Sequence, residues 1–142
     1  SYHLVRESIQ NAIDQPDPDK KIPVEVKFTL FTIPASKIPE ANQLARIFKS
    51  CMNWHYLRKE SARHFYKNAI NTIADNKPVS ILKISDYNTT GFTEDGYYAF
   101  LKSVGVSTKS TGGGSWGLGK GSYFASSAFR TIVLSTPPKP TV

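Results

Sequence analysis

Residues 7–14 read ESIQNAID, which places Glu7, Asn11 and Asp14 at positions i, i+4 and i+7. At roughly 100° per residue, that spacing gathers two carboxylates and an amide on one side of a helix. The helical pattern runs from about Tyr2 to Asp14, and Val5, Ile9, Ala12 and Ile13 gather on the side opposite the polar groups. A helix that packs through one stripe and offers polar groups from the other can floor a cleft. The plainer reading of the same face is a solvated surface.

Downstream, QPDPDKK is a polar loop marked by proline. PVEVKFTLFTI then alternates, with Val24, Val26, Phe28 and Leu30 on one side and Glu25, Lys27 and Thr29 on the other, which predicts a half-buried strand. PASKIPEAN is a connection, with Pro39 suited to a helix start. From there to about Ala74 the pattern predicts two helices broken near Asn53. Leu44, Ile47 and Phe48 mark the buried stripe of the first, and Phe65, Ala69, Ile70 and Ile73 that of the second. NKP closes the second helix, and VSILKIS predicts a short, mostly apolar strand with Asp86 at its C-terminal end.

Residues 87–116 are rich in Gly, Ser and Thr, and a loop of this length reads as a functional lid or a disordered segment. Within it lies a short helix capped by Thr93, with Tyr97, Phe100, Leu101 and Val104 as its apolar face and Gly105 at its end. A further helix is expected from about Leu118, with Phe124, Ala128 and Phe129 turned inward, and TIVLST reads as a final strand. Helices interspersed with three strands predict an α+β fold in a single domain over residues 1–142.

A chain of 142 residues with 12% aromatic side chains can bury a real core. No apolar run approaches the roughly 20 residues needed to span a bilayer, and the N-terminus has no signal-peptide pattern. The lone Cys51 cannot form an internal disulfide, which suits a reducing cytosol, so a cytoplasmic location is expected. The formal net charge of +7 favours polyanionic partners, of which a nucleoside triphosphate is one. The helical start and the STPPKPTV end suggest a domain trimmed from a longer protein.

Three stretches carry chemistry. Gly114, Gly117, Gly119 and Gly121, with Lys120 among them, precede the last helix. Such a turn lets backbone N–H groups approach phosphate oxygens, and Lys120 adds a point charge. The spacing is not that of a Walker loop. Asp86, at a strand end, can accept hydrogen bonds from an exocyclic amine, or it can simply cap the following turn. Asn11 can supply one oxygen to magnesium, and Glu7, one helical turn away, can orient or deprotonate a water.

Taken together, ESIQNAID resembles the N-box, E-x-x-x-N-x-x-D, of the GHKL ATPases, the gyrase, heat-shock chaperone, histidine kinase and MutL proteins. SDYNTTG is similar to their first glycine box, D-x-G-x-G, and GSWGLGKG to their second, G-x-x-G-x-G. The motifs occur in the family's order across nearly the whole chain. The resemblance implies a Bergerat fold, a two-layer sandwich with a mixed sheet covered by helices on one face and, here, a helical insertion before the adenine-binding strand. It further implies Mg2+-dependent ATP binding and slow ATP hydrolysis, with lid closure driving conformational change or homodimerisation in a larger protein.

By that resemblance Glu7 is the general base, Asn11 the magnesium ligand and Asp86 the adenine-amine acceptor. Asn88 and Gly91 belong to the first glycine box; Gly114, Gly117, Leu118, Gly119, Lys120 and Gly121 belong to the phosphate turn; Asp14 is the third N-box position. The first box departs from the pattern: Asn88 and Thr90 stand where glycine is usual, and Gly91 comes one place late. Asn tolerates left-handed backbone, so Asn88 is expected to preserve the turn. The family's later threonine near the base has no assigned counterpart.

Two alternatives accompany this reading. A histidine-kinase catalytic domain would use the same fold, but Glu7 favours hydrolysis, and His3, His55 and His64 lack the setting of a phospho-acceptor. An ATP-switched nucleic-acid-binding module is suggested by Arg46, Lys49, Arg58, Lys59, Arg63 and Lys67 interleaved with Trp54, Tyr56 and Tyr66. A metal site at Cys51, His55 and His64 has no fourth ligand in the pattern.

Overall fold

The structure is a computed structural model that describes residues 2–54, 58–91 and 121–136. Along these residues run α1 (Tyr2–Ile13), β1 (Glu25–Pro34), a 3-10 turn (Ala35–Lys37), α2 (Ala41–Asn53), α3 (Glu60–Ala74), β2 (Pro78–Tyr87) and α4 (Gly121–Ser126). Among the described residues the fold is a small α+β arrangement of four helices and a two-stranded sheet. By its contacts the chain divides into two compact units, one of Ser1–Phe28 with Ile84–Val142 and the other of Thr29–Lys83.

The second unit is built on the α2–α3 pair. Phe48 and Ala41 of α2 and Ala69 and Ile73 of α3 are buried. The Phe48 ring meets Phe65 edge-on, with centroids 6.1 Å apart, and lies 5.9 Å from Tyr66. Ile47, expected inside, is half exposed, because the buried stripe of α2 passes through Ala41, Leu44 and Phe48 instead. Burial pushes the Tyr66 hydroxyl above its ordinary value, and neighbouring Cys51 adds to the rise. The stability gained from that neutral phenol is present below pH 10 and is lost as the pH rises through its folded value.

Pro39 lies before α2 rather than within it; the helix starts at Ala41, and Glu40 at its N-cap has left-handed backbone with φ 55°. Two residues past the end of α3, Asn76 is also left-handed, and its side-chain oxygen accepts from the Ser36 N–H at 2.9 Å. That end is joined to the strands by the Ala35 N–H, which donates to Lys77 O at 2.9 Å.

In the first unit α1 buries Leu4, Ser8 and Ala12, a stripe at i, i+4 and i+8. Val5, Ile9 and Ile13, expected to face inward, are 42%, 41% and 52% exposed. The expected polar face therefore does not oppose the packing face. Glu7, Asn11 and Asp14 flank the buried stripe on one side, as the apolar trio flanks it on the other, and Glu7 and Asp14 are half-buried.

The sheet departs further from expectation. Among the described residues it has two antiparallel strands, not the larger mixed sheet. β1 is not half-buried on one face: Phe28 is 37% and Leu30 73% exposed, and only Val26 and Ile33 are partly covered. β2 is half-covered rather than buried. Residues 131–136 form no strand. Their β-branched pattern is overridden by local bonds, since the Thr131 N–H donates to Ser127 Oγ at 3.2 Å and its hydroxyl to Phe129 O at 2.9 Å. Ala128 and Phe129 follow the end of α4 rather than belonging to it, and Phe124 is 37% exposed. The predicted helix over Thr93 to Gly105 lies outside the described residues.

Candidate functional site

The residues just after α1 pair with those just after β2. The Thr90 N–H donates to Gln15 O at 3.0 Å, the Asp17 N–H donates to Asn88 O at 2.9 Å, and Pro16 and Thr89 form an antiparallel bridge. Asn88 Nδ2 adds a bond to Pro23 O at 2.8 Å. This clasp lies one residue past Asp14 and within two residues of Asp86, so it ties the ends of the two motif-bearing elements together within the first unit.

On α1, Glu7 is half-buried beside the packing stripe and Asn11 is exposed. Asn11 Nδ2 lies 3.5 Å from the Tyr123 hydroxyl of α4, the helix that follows the glycine-rich stretch. The amide nitrogen, not the oxygen, makes this contact. Asp14 closes the helix: its N–H donates to Gln10 O at 3.1 Å, and its Oδ1 accepts from Gln10 Nε2 at 2.7 Å.

Asp86 is exposed as the next-to-last residue of β2. Its Oδ2 accepts the Thr89 hydroxyl at 2.5 Å, so this carboxylate caps the turn, while Oδ1 is not used in that bond. Asn88 takes left-handed backbone with φ 61°, the conformation that a glycine would otherwise supply. Gly91 is also left-handed, with φ 66°, and a Cβ added there would lie 3.2 Å from Thr136 Oγ1. Gly91→Ala is therefore expected to destabilise the chain by about 1–2 kcal/mol. Gly121→Ala, where an added Cβ meets open space, should change stability by less than about 1 kcal/mol. Urea unfolding of both variants checks the pair.

Gly114, Gly117, Leu118, Gly119, Lys120 and most of the lid lie outside the described residues; Gly121 is the first residue of α4. Two partners of the motif residues went unread in the sequence. Thr89 stands three places after Asp86, a spacing that could have signalled a capped turn. Tyr123 carried no signal, because 112 residues separate it from Asn11.

No group of three or more His, Cys, Asp or Glu side chains is gathered to hold a metal among the described residues. Magnesium does not require such a group, because one amide oxygen with water and phosphate oxygens suffices, and exposed Asn11 fits that donor set. A shallow groove lined by Ser36, Ile38, Glu40, Ala41, Asn42 and Ile73 lies in the second unit and includes none of the candidate residues. No helix among the described residues is long and apolar enough to cross a membrane. Compared with protein-family models, curated proteins and solved structures, the chain matches none of them.

Proposed function

We propose that the first unit binds Mg-ATP and hydrolyses it slowly, as the ordered resemblance to the GHKL motifs implies. The observation that carries this reading is the clasp of residues 15–17 against 88–90, which joins the helix of Glu7, Asn11 and Asp14 to the strand end of Asp86. The Asn11–Tyr123 contact links the same helix to the element after the glycine-rich stretch.

In this reading Asp86 accepts the exocyclic amine of adenine through the oxygen that Thr89 does not use. Asn11 offers its amide oxygen to magnesium, which would neutralise phosphate charge when bound. Glu7 orients a water and takes its proton as the water oxygen bonds to the γ-phosphorus. The bond from that phosphorus to the β,γ-bridging oxygen breaks, leaving ADP and inorganic phosphate. Half-burial beside Leu4 and Ser8 restricts the Glu7 side chain, which favours a fixed position for such a base. The Bergerat sandwich, the lid motion and any dimer belong to this proposal.

Chelation of magnesium tests the metal role. Adding a chelator should weaken binding of a fluorescent ATP analogue by about 10-fold, or about 1.4 kcal/mol. Asn11→Ala should show the weaker affinity with or without chelator, whereas Tyr123→Phe, which removes the partner of the amide nitrogen and leaves the amide oxygen in place, should bind like the parent chain. Asn11→Ala binding that remains fully magnesium-dependent would remove Asn11 from the metal site.

A further inference from the structure

The charge of this chain is unevenly divided between its units. Thr29–Lys83 carries nine Lys and Arg against three acidic residues, whereas the remaining residues carry nine against eight. The second unit, less than half the chain, thus holds +6 of the net +7. Six of its cations, Arg46, Lys49, Arg58, Lys59, Arg63 and Lys67, fall on α2, α3 and their connection, and all six are exposed. Glu60 is the one acidic residue over the same span.

Placement along the helices gives the patch a form. Arg46 and Lys49 stand three residues apart on the solvated face of α2, with exposed Asn42 and Asn53 beside them. Arg63 and Lys67 stand one turn apart on the solvated face of α3, next to His64 and Asn68, which share a hydrogen bond at 3.1 Å. The aromatic rings of the pair, Phe48, Phe65 and Tyr66, are used against one another. Trp54 follows α2 and is 56% exposed, and exposed Arg58 and Lys59 come soon after it.

We propose that the α2–α3 pair is a docking surface for single-stranded nucleic acid. Its cations neutralise backbone phosphates, and Trp54 provides a platform on which a base stacks. A row of cations alone would serve any polyanion. The exposed indole selects among them, because unpaired bases offer a free π-face while a duplex keeps its bases stacked inside and presents phosphate. The exposed apolar side chains here, Ile47 and Trp54, are two among polar Asn and His neighbours, too few for an apolar face that enters a membrane surface. The proposal does not depend on nucleotide binding by the first unit.

Fluorescence anisotropy of the full chain with a labelled oligothymidine of about 20 nucleotides tests it, without ATP and across salt from about 50 to about 200 mM. Affinity should fall with salt, and the slope of log K against log salt should shrink by about 0.7 for each of Arg46→Gln, Lys49→Gln, Arg63→Gln and Lys67→Gln. Trp54→Ala should weaken binding by about 5-fold to 100-fold with little change in that slope. Trp54→Phe, which keeps a stacking ring, should restore most of the loss. All five positions are exposed, so each variant should still melt cooperatively, within a few degrees of the parent. Binding untouched by these substitutions would overturn the proposal. So would equal affinity for a duplex with no effect at Trp54, or binding to anionic lipid vesicles but not to the oligonucleotide.

Discussion

Glu7→Ala should lower ATP turnover by at least about 100-fold while nucleotide affinity stays within about threefold. The split follows from its place. Glu7 lies on the flank of α1 beside the buried Leu4 and Ser8, and in the proposed reading it is neither the amide offered to magnesium nor the carboxylate offered to adenine. Removing a general base raises the barrier to the chemical step and leaves ground-state binding nearly unchanged. Phosphate release measured beside analogue binding separates the two. A parallel loss of both would make Glu7 a structural or binding residue, and unchanged turnover would assign the base elsewhere.

Asp86→Ala should weaken nucleotide binding by about 10-fold to 100-fold, the range expected when a charged hydrogen-bond acceptor is withdrawn from its partner. The bond between Thr89 and Asp86 makes the result ambiguous by itself, because the same substitution removes a turn cap. Thr89→Val resolves this. It deletes the cap but keeps the carboxylate, so binding should survive it if Asp86 acts on adenine. If Thr89→Val costs as much affinity as Asp86→Ala, the carboxylate serves the turn and the adenine role fails.

Much of the element order was legible, because it rests on signals local in sequence. The break between α2 and α3 near Asn53, the alternation that gives β1, and the position of Asp86 near the end of β2 were all readable from periodicity and turn residues. The left-handed backbone at Asn88 was also readable, since few residues other than glycine and asparagine sit there without strain.

What faces what was less legible. On α1 the stripe of Leu4, Ser8 and Ala12 is one residue out of phase with that of Val5, Ile9 and Ile13, a rotation of about 100°. Hydrophobicity favours the bulkier stripe, but tertiary packing buried the smaller side chains, and no local pattern records that choice. The same holds for residues 131–136. Their β-branched side chains suit a strand, yet the Ser127 and Phe129 bonds to Thr131 and the passage of Thr136 beside Gly91 are contacts that alternation cannot express. In the candidate site, the spacing of Glu7, Asn11 and Asp14 was visible, whereas the clasp from 15–17 to 88–90 joins residues more than 70 positions apart.

Titration calorimetry of the folded 142-residue chain with Mg-ATP addresses the central claim most directly. The account predicts saturable binding of one nucleotide per chain, weakened by Asp86→Ala and retained in Glu7→Ala. A cooperatively folded sample that gives no binding heat at any temperature tried, and no thermal stabilisation by saturating Mg-ATP, would contradict it.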